Sequence, residues 1–167
     1  LLSSGRNEWT IFCAATFGVA KNIVWDELVA LNKRHGLGWK MPETDCTITT
    51  PTGAKFRLVG VDDKRQIEKV RGSKYRLVIL DEASTYQDKL QRLISDVVRP
   101  GLVDLGGSLF LSGTPGYVCA GDWFEAATGA KHFEVYGWTL RENPHIKDAD
   151  AELASIRAEN RWTEEDP

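Results

Sequence analysis

The sequence predicts an α/β domain built on a mostly parallel sheet. The apolar run 75–80 (YRLVIL) and the segment 108–116 (SLFLSGTPG), a second apolar strand that runs into a loop of small residues, flank a stretch whose apolar residues recur at helical spacing. A nearly continuous apolar run is typical of a strand covered on both faces, as in parallel sheets. Strand, helix and strand in this order predict a right-handed βαβ unit whose strands are neighbours. The length of 167 residues fits one domain.

The remaining elements follow from periodicity and from turn residues. The helix of the βαβ unit carries Leu90, Leu93, Ile94, Val97 and Val98 on one face, and Pro100-Gly101 is expected to end it. The other expected elements are a strand at 10–16, a helix at 18–36 capped by Gly36, two strands within 46–61 joined at Pro51-Thr52-Gly53, a further strand at 132–140, and a polar, exposed helix from Asp148 to Asn160.

Composition excludes several classes of protein. With 42% hydrophobic and 27% charged residues, the chain can bury an ordinary core and does not resemble a disordered protein. No apolar run approaches the roughly 20 residues that a membrane helix needs. The opening LLSSGRNEW lacks the features of a signal peptide. We therefore expect a cytoplasmic protein with no membrane partner.

Cysteine and histidine spacing does not favour a metal centre. The three cysteines form no CxxC pair, so a zinc site is disfavoured and reduced, mostly buried thiols are expected. The three histidines are equally scattered and are interpreted as ordinary surface or core residues. These residues are Cys13, Cys46, Cys119, His35, His132 and His145.

The charge is unevenly distributed. A net charge of −3 argues against a strongly basic nucleic-acid coat. Residues 53–76 nevertheless hold eight Lys and Arg side chains, whereas residues 122–167 hold five basic and eleven acidic ones. The basic segment fits either a surface that faces phosphates or a solvated face of the domain, and charge alone favours the solvated face.

Two adjacent carboxylates, Asp81 and Glu82, end the apolar run LVIL. Buried unpaired charges are costly, so such a pair favours a nearby metal ion, proton or phosphate. In nucleoside triphosphate hydrolysis the first acid can hold Mg²⁺ and the second can orient and deprotonate the attacking water. The alternative interpretation is the start of a helix, where acidic residues are favoured.

The stretch Ser112-Gly113-Thr114-Pro115 ends the next predicted strand. Its hydroxyls and backbone N–H groups can contact a γ-phosphate or the attacking water; the alternative is an ordinary turn rich in Gly and Pro. Ligands of open α/β sheets bind beyond the carboxyl ends of the strands. The pair Asp81-Glu82, called the doublet below, and this stretch are therefore predicted to lie close together. The phosphate-binding pattern GxxxxGK[ST] does not occur in the 167 residues.

Taken in order, these motifs resemble the ATPase domain of large terminase subunits, the DNA-packaging motors of tailed phages. The resemblance is carried by FCAATFGVAKNIVWDELVAL, by the segment from TITTPTGAKF to VRGSKYRLVILDEAS, by LISDVVRPGLVDLGGSLFLSGTPG, and by WTLRENPHI and ENRWTEEDP. LDEA and SGTP also occur in superfamily-two helicases, so the ordered set is the specific feature. The resemblance implies a P-loop NTPase-like (ASCE, recA-like) fold with an inserted β-hairpin.

The resemblance also implies roles for individual residues, with ATP and Mg²⁺ as ligands. Asp81 would be the Walker B acid that holds Mg²⁺, and Glu82 the catalytic glutamate. Ser112, Gly113 and Thr114 would form the coupling motif that reports the state of the γ-phosphate to the parts that grip DNA. Arg71, in VRG, is similar to an arginine that some terminases are thought to insert into a neighbouring subunit's site; the alternative is an exposed arginine capping a turn.

The resemblance implies that residues 1–147 form an incomplete ATPase domain and that 148–167 form a helix and the start of a linker to a nuclease domain. The Walker A loop is expected before Leu1. Its strand is expected between the strands at about 108–112 and 132–138. The 167 residues alone are therefore expected to hydrolyse ATP weakly or not at all.

The expected partners are double-stranded DNA, a portal protein, a small terminase subunit and further copies of the chain in a homo-oligomeric ring. The expected location is the host cytoplasm, at the procapsid portal. Two alternatives stay open at this point: a helicase-like ATPase module, and a non-catalytic binding remnant of a prophage.

Overall fold

The computed structural model describes residues 7–86, 89–114 and 133–161. Five strands form one sheet in this part of the chain: β1 (Trp9–Ala14), β2 (Thr47–Thr49), β3 (Lys55–Gly60), β4 (Tyr75–Leu80) and β5 (Ser108–Leu111). Their order is β2-β3-β1-β4-β5. The pairs β1–β3, β1–β4 and β4–β5 are parallel, and β2 runs antiparallel to its neighbour β3. The predicted mostly parallel sheet is confirmed.

The predicted hairpin within 46–61 is also confirmed. Gly53 has a φ of +88°, a value that suits glycine, and its N–H donates to the carbonyl of Thr50 at 2.9 Å. The second arm of the hairpin, β3, extends beyond the short β2 and pairs along its whole length with β1. The hairpin is thus an edge of the main sheet.

Helix α1 (Phe17–His35) covers one face of the sheet. The Thr16 side chain accepts a hydrogen bond from the N–H of Val19 and caps the helix start. At the other end Gly36 adopts the left-handed conformation that the sequence predicts for a C-cap. The helix buries Ala20 and Trp25 in a core that also contains Phe12 and Phe56 of the sheet.

Helix α2 (Lys64–Val70) and the helical segment 89–103 cover the opposite face. Their apolar side chains pack on the other row of strand residues, which alternates with the first row because strand side chains point to the two faces in turn. The core on this face includes Ile11, Cys13, Val59, Val78, Leu80, Leu90, Leu93, Val97, Val98 and Leu102. The helix face that the sequence predicts is the one that is buried.

The predicted helix end at Pro100-Gly101 is wrong. The segment continues as α3 (Lys89–Leu93), a π-helical stretch (Ile94–Val98) and α4 (Arg99–Val103), with Pro100 in the first turn of α4. A proline is tolerated there because the N–H that it lacks would be unpaired in a new first turn. The π-helical stretch provides this break without ending the helix.

The predicted strand at 132–140 is wrong as well. Residues 133–139 have no regular structure, and a 3₁₀ turn (Leu140–Glu142) follows them. Tyr136 and Trp138 are largely exposed, and no strand in the described part of the chain pairs with this segment. The polar helix predicted near the end is present as α5 (Ala149–Asn160), capped by Asp148 and without a buried residue.

Cys13 and Cys46 are free and buried, which confirms the predicted state of these two thiols. Cys119, His132 and Pro115 lie outside the described residues. A helix with the length and apolar character to cross a membrane does not occur among residues 7–86, 89–114 and 133–161.

Candidate active site at the carboxyl edge of the sheet

The carboxyl ends of β1, β4 and β5 lie side by side. The ladder extends one residue beyond the strands, since the N–H of Asp81 donates to the carbonyl of Cys13 at 2.9 Å and the N–H of Ser112 donates to that of Leu80 at 3.0 Å. The Asp81-Glu82 doublet and Ser112 therefore share one edge of the sheet. The predicted proximity of the two strand tips is confirmed.

Ser112 contacts the doublet segment through two hydrogen bonds. Its hydroxyl donates to Oδ1 of Asp81 at 2.6 Å, a short distance typical of a bond to a charged acceptor. Its carbonyl accepts from the N–H of Ala83 at 2.8 Å. Ser112 is thus bound to both the side chain and the backbone of the segment that carries the two acids.

Glu82 adopts an uncommon backbone conformation. Its φ is +48°, in the left-handed region, and its side chain is exposed. The N–H and the hydroxyl of Thr85 both donate to its carbonyl, at 2.9 and 2.7 Å. Non-glycine residues in this region are strained, and such strain concentrates at functional sites.

The alternative interpretation, a doublet that starts an α-helix, does not match the turn that follows. A 3₁₀ turn (Ala83–Tyr86) comes directly after Glu82, and the Asp81 carboxylate binds the Ser112 hydroxyl on the neighbouring strand. Asp81 therefore has a role between strands. Its role toward Mg²⁺ and the role of Glu82 toward water stay predictions.

Tyr86 belongs to this site and is missed by the sequence reasoning. It is only 2% exposed, and its hydroxyl lies 2.8 Å from the carbonyl oxygens of both Cys13 and Asp81. Burial raises the pKa of this hydroxyl above its ordinary value, as do the nearby Cys13, Asp81 and Glu82, so it remains a donor. The neighbouring residues Ser84, Thr85, Gln87, Asp88 and Lys89 are polar, so nothing in the sequence indicates that this tyrosine is buried and that its hydroxyl needs a buried partner.

Gly113 and Thr114 continue from Ser112 at the same edge, with Gly113 partly buried and Thr114 exposed. The geometry therefore places both residues beside the doublet and leaves their proposed coupling role a prediction.

Arg71 lies away from the doublet. It caps the end of α2, before β4 begins, so the six-residue β4 separates it from Asp81. At about 3.3 Å per residue this is roughly 20 Å. Its guanidinium donates to both carboxylate oxygens of Glu68, at 3.0 and 3.1 Å, and to the carbonyl of Asp96 at 3.3 Å. Within one chain Arg71 cannot reach the doublet.

The basic segment 53–76 is largely paired within the chain. Lys55 and Arg57 lie over the ring of Trp9, at 5.0 and 4.8 Å from its centroid. Other members have polar partners: Arg65 with Asp63, Arg71 with Glu68, Lys74 with Asp104 and Arg76 with the carbonyl of Leu105. These contacts favour the interpretation of the segment as a solvated face.

A cleft of about 350 Å³ lies near β3 and the first turns of α1 and α2. It is lined by Phe17, Thr44, Asp45, Arg57 and Gln66, and none of the predicted site residues contributes to it. The candidate site is instead the open carboxyl edge beside β4 and β5.

Comparison with solved structures places the fold. The ATPase domain of the large terminase of Thermus phage P74-26 matches with a TM-score of 0.65 and 16% identity, over 98% of this chain and 74% of that one. The large terminase of bacteriophage HK97 matches with a TM-score of 0.60 and 17% identity, over 97% of this chain and 35% of that one. The large terminase of a thermophilic bacteriophage, in complex with ADP, matches with a TM-score of 0.53 and 17% identity, over 69% of this chain and 28% of that one.

Sequence comparison adds no relative: no protein-family model and no curated protein matches the chain. The chain spans between 28% and 74% of the lengths of the three structures named above. At identities of 16–17% the likeness concerns the fold. The chain thus has the P-loop NTPase-like fold of the ATPase domains of phage large terminases.

Proposed function

We propose that the chain is the ATPase segment of a terminase large subunit and that it hydrolyses ATP to drive double-stranded DNA into procapsids. One observation carries the proposal: on this fold, the Ser112 hydroxyl donates to the Asp81 carboxylate at 2.6 Å, beside the left-handed, exposed Glu82. The acid at the strand tip, the second acid and the neighbouring hydroxyl are three of the parts that triphosphate hydrolysis at this edge needs.

The donor set at this edge fits Mg²⁺. The described residues hold no group of three or more His, Cys, Asp or Glu side chains that could enclose an ion. Mg²⁺ commonly binds one or two carboxylates and completes its shell with water and substrate phosphates. Asp81 would hold it here, and the ion would neutralise charge on the phosphates. The orientation of Asp81 is set by Ser112.

Glu82 would act as the general base. Its carboxylate would accept a proton from the water that attacks the γ-phosphorus, while the bond to the β-phosphate oxygen breaks and ADP leaves. The side chain is exposed, so a water and a substrate can reach it. Its backbone is fixed by the two hydrogen bonds from Thr85.

Phosphate binding needs a part that the 167 residues do not contain. GxxxxGK[ST] is absent, and β5 is an edge strand with β4 as its neighbour in the described sheet. Phe110 on β5 is 54% exposed. A strand carrying the phosphate loop would fit beside β5, and an unpaired edge of this kind is otherwise a liability.

The proposed partners are double-stranded DNA, the portal protein, the small terminase subunit and identical subunits in a ring at the procapsid portal in the host cytoplasm. Arg71 would act on a neighbour's site in that ring. An arginine at the developing phosphate charge can raise the rate by about 10³–10⁵-fold. Its distance from the doublet of its own chain supports action between subunits.

The test compares ATP turnover by the 167-residue chain with turnover by a version extended at its amino terminus by a strand, phosphate loop and helix. We expect weak or no turnover in the first and clear turnover in the second. Glu82→Gln in the extended version should abolish turnover and spare binding of a nucleotide analogue. Retention of turnover by Glu82→Gln would refute the role of Glu82, and full turnover by the 167 residues would refute the need for a phosphate loop.

A further inference from the structure

We propose that Tyr86 is a positioning residue for the acidic doublet: its hydroxyl joins the end of β1 to the end of β4 and so holds Asp81 and Glu82 at the carboxyl edge. The inference rests on the proposed function, and it assigns a role to a residue outside the Walker B and coupling motifs.

The Tyr86 hydroxyl bridges two backbone carbonyls at the ends of neighbouring strands. Its oxygen lies 2.8 Å from the carbonyl oxygen of Cys13, the fifth residue of β1, and 2.8 Å from that of Asp81. One hydroxyl proton serves one carbonyl at a time, so the bond alternates between two nearby acceptors. The Cys13 carbonyl also accepts the N–H of Asp81 at 2.9 Å. The three groups form one small network beneath the doublet.

The position of Tyr86 in the chain gives this network its effect. Tyr86 is the last residue of the 3₁₀ turn that follows Glu82, and its ring is buried in the core on the α2 face. The buried ring therefore anchors the end of the turn, and the hydroxyl contacts the backbone carbonyl of Asp81, the first residue of the doublet. Between these two points Glu82 holds its strained φ of +48°. Strain of this kind persists only where the surroundings enforce it.

Tyr75 offers a matched control. It is a second buried tyrosine, 0% exposed, and its hydroxyl donates to the backbone carbonyl of Val70. It is the first residue of β4, whereas the doublet follows the last residue of that strand. Loss of either hydroxyl removes a buried hydrogen bond to a backbone carbonyl, but the bond of Tyr86 lies at the carboxyl edge and that of Tyr75 does not.

The experiment uses the extended version described above and measures kcat and KM for ATP. Because misplaced catalytic groups lose rate rather than affinity, Tyr86→Phe should lower kcat about tenfold or more while KM stays within about twofold. Tyr75→Phe should leave both values within about twofold. Replacing Tyr86 by 4-aminophenylalanine keeps a donor at the same point, so kcat should return to within about threefold of the wild type.

A second readout needs no turnover. In the 167-residue chain, amide hydrogen exchange of Asp81 and Ala83 reports the bonds to Cys13 and Ser112. Tyr86→Phe should speed exchange at both amides about tenfold or more. In Tyr75→Phe the exchange rates of these two amides should change no more than the change in global stability requires.

The outcomes separate this inference from the proposed function. Unchanged kcat in Tyr86→Phe beside an inactive Glu82→Gln overturns the inference alone, as does an equal loss in Tyr75→Phe. If Tyr86→Phe does not fold, the 4-aminophenylalanine variant decides: restored kcat supports the role of the donor, and a folded but inactive protein overturns it. A wild-type extended version without ATP turnover overturns the proposed function and this inference with it.

Discussion

Replacing Glu82 by glycine is expected to stabilise the fold while removing the proposed general base. The φ of Glu82 is +48°, and a non-glycine residue in the left-handed region costs roughly 1–2 kcal/mol. Glycine avoids this cost but loses about 0.5–1 kcal/mol more backbone entropy on folding than alanine. The difference predicts that Glu82→Gly is more stable than Glu82→Ala by about 0.5–1 kcal/mol, although both variants lack the carboxylate.

Urea unfolding followed by the fluorescence of the six tryptophans measures this difference. If the free energy of unfolding depends on urea concentration with the same slope in all variants, differences between their unfolding midpoints give the differences in stability. For a chain of this size the expected gap corresponds to a difference in Tm of roughly 1–4 °C. Gly18→Ala in α1 is the control with the opposite sign, because Gly18 is helical and an added Cβ meets only the Thr16 Oγ1, at 3.9 Å.

An alanine variant at position 82 as stable as the glycine variant, or more stable, would contradict a left-handed Glu82. The turn after β4 would then store no strain at the site. If the glycine variant is the more stable one and neither extended variant hydrolyses ATP, stability and activity at this position oppose each other, as expected where a strained residue is kept for its function.

Three further predictions concern the fold. Gly101→Ala should destabilise it by about 1–3 kcal/mol in urea unfolding, because the new Cβ would overlap a ring carbon of Tyr75, whereas Gly18→Ala should not. Burial raises the pKa of Cys13 from 9.0 to about 12, so the unfolded chain loses this proton first. Stability should therefore fall as pH rises from 9 toward 12, and less so in Cys13→Ala. Asn32→Ala should cost about 2 kcal/mol in thermal unfolding, since the Asn32 amide bonds both the N–H and the carbonyl of Trp39.

Elements with a strong local signal could be predicted from the sequence. The apolar run before Asp81 forms β4, the periodic stretch 18–36 forms α1, and Gly36 caps it. The sequence also predicted that β4 and β5 are neighbours, because consecutive strands of a right-handed βαβ unit usually lie side by side whatever their side chains. For the same reason the contact between the Asp81 and Ser112 tips could be foreseen before their atoms were placed.

Features set by tertiary contacts could not be predicted in this way. The helix passes Pro100 because a π-helical stretch shifts its hydrogen bonds, and Gly101 allows α4 to lie against Tyr75. The stretch at 132–140 has the composition of a strand but no described partner to pair with, and a strand exists only in a ladder. The left-handed Glu82 and the Tyr86 bridge depend on both strand ends being in place.

The same π-helical stretch bears on how Arg71 could act in a ring. Pro100 has no N–H, so the carbonyl of Asp96, four residues earlier, has no helical donor from that position, and the Arg71 guanidinium donates to it at 3.3 Å. The other partner, Glu68, forms an exposed i,i+3 ion pair, of a kind that contributes roughly 0.2–1 kcal/mol.

Both partners of Arg71 are therefore weak relative to the gain that an arginine gives at a developing phosphate charge, where a rate factor of about 10³ equals roughly 4 kcal/mol. An isolated subunit would keep Arg71 on Glu68 and Asp96, whereas a neighbour with bound ATP would draw it away at little cost. A mixture of Arg71→Ala subunits with Glu82→Gln subunits tests this in the extended version. Active neighbours form only where an Arg71 of one chain faces a Glu82 of the next, so turnover in the mixture and none in either variant alone is the expected result. Turnover by Arg71→Ala alone would contradict a role between subunits.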